Sequence, residues 1–189
     1  MKKLTTAEMG RMSVEDYHKA DKLPLVVVLD NVRSQHNVGA VFRTADAMRI
    51  ESVWLCGICC CPPNQEIHKT ALGAEETVEW RYFKDTMEAI RELKAQGYTI
   101  YAVEQAHDSV TLEEAAEQMS NVKYQMSNCP KIAVVLGHEV FGVQQEVIDQ
   151  CHQCIEIPQY GTKHSLNVSV AAGIVIYRLA CSLRLATSK

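Results

Sequence analysis

The chain has 189 residues, a formal net charge of −4 and 47% hydrophobic residues. That length suits one domain, or one domain with a short appendage, and the apolar fraction is enough for a sizeable core. The negative total argues against a broadly basic surface for nucleic acid, because displacing counterions from phosphates needs clustered cations. The start, Met1-Lys2-Lys3-Leu4, runs into Glu8 and Arg11 without the apolar stretch of a secretory signal. No uninterrupted apolar run reaches the ~20 residues of a membrane span. A soluble, cytoplasmic protein is expected.

In chain order, residues 1–23 are mixed in charge, and Ser13-Val14-Glu15-Asp16 has the pattern of a helix start. Leu25 to Leu29 is a continuous branched apolar run, as in a strand buried on both faces. Asn37 to Met48 reads as a helix capped by Asn37, with Val38, Val41, Phe42 and Ala45 on its buried side. Ser52 to Cys56 is a second strand, and Cys59 to Glu76 a loop with one short helix. Asp85 caps a helix to Gln96, with Met87, Ile90 and Leu93 as its apolar stripe and Gly97 as its stop. Thr99 to Val103 and Ile132 to Leu136 are strands. Gln144 to Gln150 suits a short helix, Cys154 to Ile157 a last strand, and Asn167 to Leu183 the final helix. Strands alternating with helices imply a mostly parallel α/β sheet flanked by helices, with ligands outside the carboxyl ends of the strands.

The eight cysteines include two C-x-x-C pairs, Cys56 with Cys59 and Cys151 with Cys154. The pairs are far apart in sequence and abut apolar runs, so they read as reduced core thiols and no metal site is expected.

Three segments follow strands and carry polar residues. The first runs from Asp30 through Asn37 to Arg43; Arg43 lies six residues beyond Asn37 and need not share its face. The second, Leu136-Gly137-His138-Glu139-Val140-Phe141-Gly142, mimics a dinucleotide-binding turn, but Glu139 fills the second glycine position and would obstruct a pyrophosphate. The third runs from Ile157-Pro158 to Ser165-Leu166-Asn167-Val168-Ser169, where Ser165 and Asn167 are both cap-type residues. The helix after it is apolar nearly all round, which points to a subunit interface.

Together, and with Lys69-Thr70-Ala71-Leu72-Gly73-Ala74, these segments resemble the SpoU, or TrmH-like, RNA ribose 2′-O-methyltransferases of the SPOUT superfamily, over Leu25 to about Leu183. The resemblance implies a short N-terminal extension, 1–23, and a methyltransferase domain, 24–189, whose C-terminal part forms a trefoil knot. It implies S-adenosylmethionine bound through backbone at Gly137, Ile157 and Leu166, and a homodimer. It implies a catalytic set of Asn37, Arg43, Glu139, Ser165 and Asn167. In that set Arg43 clamps a substrate phosphate and stabilises the developing alkoxide, and Asn37 holds Arg43 or the ribose. Ser165 and Asn167 orient the nucleotide, and Glu139 orders Arg43 or the knot loop. The 2′-hydroxyl makes the partner RNA, either tRNA or rRNA. Arg33, His36, Arg49, Lys69, Lys163 and His164 are the candidate RNA contacts. The alternatives are a non-catalytic RNA-binding or ribosome-assembly factor, and base methylation by a related SPOUT activity.

Overall fold

The structure is a computed structural model and describes residues 1–5, 8–10, 12–120 and 129–187. Its centre is β1 (Leu23–Asp30), in which all but one residue is buried. It pairs in parallel with β2 (Ile50–Cys56) on one side and β6 (Ile132–Leu136) on the other, with Leu29 opposite both Leu55 and Leu136. A strand enclosed laterally and covered on both faces has no solvent side, hence the unbroken apolar run. The other strands are β3 (Glu79–Phe83), β4 (Thr99–Val103), β5 (Val110–Thr111) and β7 (Gln153–Glu156). All seven run parallel in one sheet, in the order β3-β2-β1-β6-β4-β7-β5.

Side chains alternate across the sheet. Leu25, Val27 and Leu29 pack into one apolar layer with α2 (Gln35–Met48), α6 (Leu112–Ser120) and α8 (Val168–Thr187). Val26 and Val28 pack into the other with α5 (Thr86–Ala95) and α7 (Gln145–Ile148). Short helices α1 (Val14–Lys19), α3 (Gln65–Ala71) and α4 (Ala74–Thr77) join the first layer through Tyr17, Ile67 and Ala74. The predicted Ser13 start is realised, its hydroxyl accepting from Asp16 N, and Asp85 caps α5 by accepting from Met87 N.

Several expectations are corrected. Helix α2 begins earlier than predicted, and its cap is Ser34, whose Oγ accepts from Asn37 N; Asn37 sits inside the first turn with its side chain free for other work. The loop after Cys59 holds two short helices. β3 escapes the sequence reading because it is an edge strand with mostly uncovered residues and no alternation, and β5 is too short for a periodic signal. α6 escapes it too, although Leu112, Ala115, Ala116 and Met119 recur at helical spacing. α8 runs to Thr187 and is, by length and composition, apolar enough to cross a membrane. Here one face packs on α2, α6 and β1.

Helices α2 and α3 approach closely at Gly39. A Cβ built there would lie 2.1 Å from Thr70 Oγ1 and 2.3 Å from the Ile67 carbonyl oxygen. Thr70 in turn donates to the His36 carbonyl at 3.0 Å, so the Lys69–Ala74 segment serves first to seat α3 on α2. Gly39→Ala should destabilise the fold by about 1–3 kcal/mol through overpacking, read as a lower denaturation midpoint. An unchanged midpoint would contradict this account of the contact.

Candidate active site

The carboxyl ends of β1, β6, β4 and β7 lie side by side, and the loops leaving them form the site. Gly137 follows β6 and opens a tight hairpin. His138 N donates to the Gly142 carbonyl at 3.0 Å and Gly142 N returns to the His138 carbonyl at 2.9 Å. A Cβ on Gly137 would fall 2.0 Å from Gly142 C, and Gly142 has φ +67°, so both positions require glycine. Two carboxylates hold the base of the hairpin. Glu104, just past β4, accepts from Val143 N at 3.1 Å and Gln105 N at 3.0 Å. Asp30, fully buried at the end of β1, accepts from Gln144 N, Gln144 Nε2, Asn31 Nδ2 and Thr86 Oγ1. Neither stands out in the sequence; Asp30 ending a wholly apolar strand is the available signal.

At the hairpin tip, Glu139 reaches across to the start of α2. Its carboxylate accepts from Arg33 N (3.0 Å), Ser34 N (2.9 Å) and Asn37 Nδ2 (3.0 Å). Burial would raise its pKa, but the amide donors of Arg33, Ser34 and its own residue, with Asn37, outweigh that and hold it at about 2. Asn37 Oδ1 accepts from Asn167 Nδ2 at 3.2 Å, while Asn167 Oδ1 accepts from Ser169 N and Val170 N at the start of α8. A single chain of hydrogen bonds therefore joins residues from all three predicted segments.

A cavity of about 1090 Å3 lies beside this chain, and Gly137, Ile157 and Leu166 all line it, as do Glu139, His164 and Ser165. Glu104, Asp108 and Glu156 add further carboxylates, and no lysine or arginine lines it among the described residues. Arg43 stands apart. It is exposed, on the face of α2 that also carries His36 and Ala47, and its side chain has no hydrogen-bond or ion-pair partner among the described residues. Asn37 thus does not hold Arg43 within one protomer, and neither does Glu139. Arg33 and Lys163 are exposed. His36 and Lys69 both pair with Glu66. Arg49 lies apart from the other candidates: it is half-buried at the far end of α2, roughly 20 Å from Ser34 by helical rise, with Nε enclosed and unpartnered.

The cysteines have local uses. Cys59 Sγ donates to the Leu29 carbonyl and accepts from Val32 N, pinning the turn before α2, and burial pushes this thiol up to about 12. Burial likewise raises Cys56 and Cys151.

The SpoU rRNA methylase family model matches residues 24–177. The chain belongs to that family. It is 32% identical over 170 residues to a tRNA (guanosine(18)-2′-O)-methyltransferase of Thermus thermophilus, covering 90% of this chain and 81% of that enzyme. It is 32% identical over 153 residues to a 23S rRNA (guanosine-2′-O-)-methyltransferase of Neisseria meningitidis, covering 81% of this chain but only 56% of that one. The A. aeolicus TrmH/SpoU tRNA modifying enzyme superposes with a TM-score of 0.72 at 28% identity, over 89% of this chain and 79% of that one. An AdoMet-bound rRNA methyltransferase from Sinorhizobium meliloti gives 0.71 at 25% identity, over 86% and 59%.

In this SpoU-family site, Glu139 couples charge to fold. A carboxylate held far below its ordinary value stabilises the folded state above the unfolded pKa and loses that contribution as pH falls through the folded one. Glu139→Gln should therefore cost about 1–2 kcal/mol at pH 7, allowing for solvent screening, and the gap to wild type should close between about pH 4.5 and about pH 2. Chemical denaturation across that range measures it; a gap independent of pH would show that the charge is not what matters.

Proposed function

We propose that this protein transfers a methyl group from S-adenosylmethionine to the ribose 2′-hydroxyl of a nucleotide in tRNA or rRNA, acting as a homodimer. The observation that carries the reading is the large cavity: Gly137, Ile157 and Leu166 line it, with several carboxylates and no lysine or arginine among the described residues. Such a lining suits a ligand with positive charge and no phosphate. S-adenosylmethionine bears a sulfonium and an ammonium, and when bound it supplies an electrophilic methyl group. A side chain on Gly137 would collide with the backbone of Gly142 and Val143, so the hairpin that lines the cavity would have to move.

The chain's own residues do the rest. Asn37 is clamped from both sides, by Glu139 and Asn167, so its position at the mouth is fixed. The exposed Ser165 hydroxyl, without a partner among the described residues, meets the nucleotide. Arg43 grips a substrate phosphate with its planar fork and stabilises oxygen as negative charge develops. An arginine stays protonated at neutral pH, so phosphate or water takes the hydroxyl proton.

A homodimer is supported by two features. Arg43 makes no hydrogen bond or ion pair to the Asn37–Glu139–Asn167 chain in the protomer. Val170, Ile174 and Tyr177 form an exposed apolar stripe along α8, at 39–58% exposure. The reading carries with it the C-terminal trefoil knot, supported by the insertion of β7 between β4 and β5 and the return of α8 to pack on α2 and β1.

Transfer of label from S-adenosylmethionine to total RNA of cells lacking this protein, followed by mapping of the modified nucleotide, tests the whole reading. RNA that binds without being methylated would replace the enzyme with an assembly factor, and label on a base would replace the ribose. Gly137→Val should abolish calorimetric binding of S-adenosylhomocysteine; binding at wild-type affinity would remove Gly137 from the cofactor wall. Arg43→Ala should lose methyl transfer by roughly 100-fold or more. Mixed with inactive Asn167→Ala protein, it should regain part of the activity, since a heterodimer holds one intact composite site. No recovery after verified subunit exchange would place both residues in one protomer.

A further inference from the structure

A second cavity, of about 630 Å3, lies against the same His138–Gly142 hairpin; it shares His138, Phe141, Gly142, Val143 and Gln145 with the first, adds Asp30, Asn31, Ile58 and Gln144, and is lined by none of Asn37, Arg43, Glu139, Ser165 or Asn167. Its volume falls in the ordinary range for a small-molecule site, roughly 300–1,000 Å3. Its walls include two rings. Phe141 is 83% exposed, and its ring lies 4.9 Å from the His138 imidazole at an interplanar angle of 33°. Ile58, 57% exposed, adds an apolar edge.

The polar groups here are neutral or already satisfied. Gln144 gives its N and Nε2 to Asp30, which leaves Oε1 without a partner among the described residues. Gln145 gives Nε2 to Asp149, again leaving its Oε1. His138 accepts from Val140 N at Nδ1, so the neutral ring carries its proton on Nε2. Asp30 lies in the wall, but its carboxylate has four donors. No lysine or arginine lines the cavity among the described residues, so nothing there selects a phosphate. A flat ring with apolar faces and hydrogen-bonding edges fits this chemistry.

We propose that this cavity takes a nucleobase of the substrate RNA, stacked on Phe141, with its exocyclic donors on the carbonyls of Gln144 and Gln145. The proposal rests on the methyltransferase reading and adds to it the element that sets the register of the RNA. Phe141 is two residues from Glu139 in a hairpin closed by paired backbone bonds, so a base on its ring is fixed relative to the cofactor cavity. Unstacked bases laid on aromatic side chains are the usual way proteins read single-stranded RNA. The cavity also stays open in a dimer built on α8. Asp30 follows the alternation of Val26 and Val28, toward α5 and α7, and bonds to Thr86 of α5, whereas α8 covers the opposite face.

The test uses Phe141→Trp in the full chain, with saturating S-adenosylhomocysteine present. Titration with guanosine 5′-monophosphate, and with a mixed-sequence 12-nucleotide single-stranded RNA, should quench the new tryptophan fluorescence saturably. Ribose 5-phosphate should not. No quenching by either nucleotide probe overturns the proposal. So does an equal response to ribose 5-phosphate, or a response seen only without S-adenosylhomocysteine, which would place the nucleotide in the cofactor cavity. Failure of wild-type protein to bind S-adenosylhomocysteine at all would instead sink the methyltransferase reading, and this proposal with it. In methylation assays Phe141→Ala should raise KM for RNA roughly ten-fold or more, the scale of one lost stacking contact, while Kd for S-adenosylhomocysteine moves less than about three-fold, and Phe141→Trp should keep a near wild-type KM. Phe141 borders both cavities, so a loss confined to S-adenosylhomocysteine binding would assign its ring to the first cavity alone and refute the assignment.

Discussion

The carboxylate of Glu139 sits where three stretches of chain, far apart in sequence, must meet. It takes backbone amides from Arg33 and Ser34 and the side-chain amide of Asn37. Removing a charge from water is costly unless donors replace the solvent, and the turn before α2 provides them just where the helix dipole also favours negative charge. Without that carboxylate the amides of Arg33 and Ser34 would lose their acceptor. Asn37 would be free to rotate, and its link to Asn167 at the start of α8 would lose its anchor. The geometry of the site follows from this one ion in its ring of donors.

Glu139 can reach α2 only because the hairpin that carries it has a single shape. A Cβ on Gly137 would collide with the Gly142 backbone, and Gly142 has a positive φ with the Glu104 carboxylate where its own Cβ would lie. Asp30 and Glu104 grip the amides that follow them. Three acids thus fix one short loop: Glu139 at its tip, Glu104 and Asp30 at its base. Backbone held this way presents fixed amides and carbonyls to a ligand without reorganising when the ligand arrives. That is what a site binding its cofactor largely through main chain requires.

The central strands and long helices are legible in the sequence, because burial on both faces or one face imprints a continuous or 3.6-residue apolar pattern. β1, β2, α2 and α5 fall where those patterns lie. What fails is local. Ser34 and Asn37 are both good caps, and the sequence alone favours the wrong one, since the choice depends on whether the asparagine has a distant partner, here Glu139 and Asn167. β3 carries its uncovered residues at the sheet edge, so no alternation marks it. Of the site, the glycines, Glu139 and Asn167 are found by motif, but Glu104 and Asp30 are not, because their roles arise only when β4 and β1 end beside the same hairpin. His36 and Lys69 look like unpartnered polar side chains until the fold places Glu66 between them.

The net charge of −4 counts against an RNA partner, and the structure shows where part of that charge resides. Glu104, Asp108, Glu139 and Glu156 line the large cavity, and Asp30 is enclosed beneath the hairpin. Carboxylates committed to a cationic ligand or to backbone amides are not spread over the surface that meets RNA. Yet among the described residues the lysines and arginines near the site are also few once Lys69 is paired, leaving Arg33 and Lys163, with Arg43 farther along α2. A protein with so few free cations at its mouth gains little from neutralising phosphates, and its affinity must come from contacts that salt does not screen. Stacking on an exposed aromatic ring is such a contact. The acidic balance and the exposed Phe141 are then two sides of one arrangement, in which charge is reserved for the cofactor and a ring for the base.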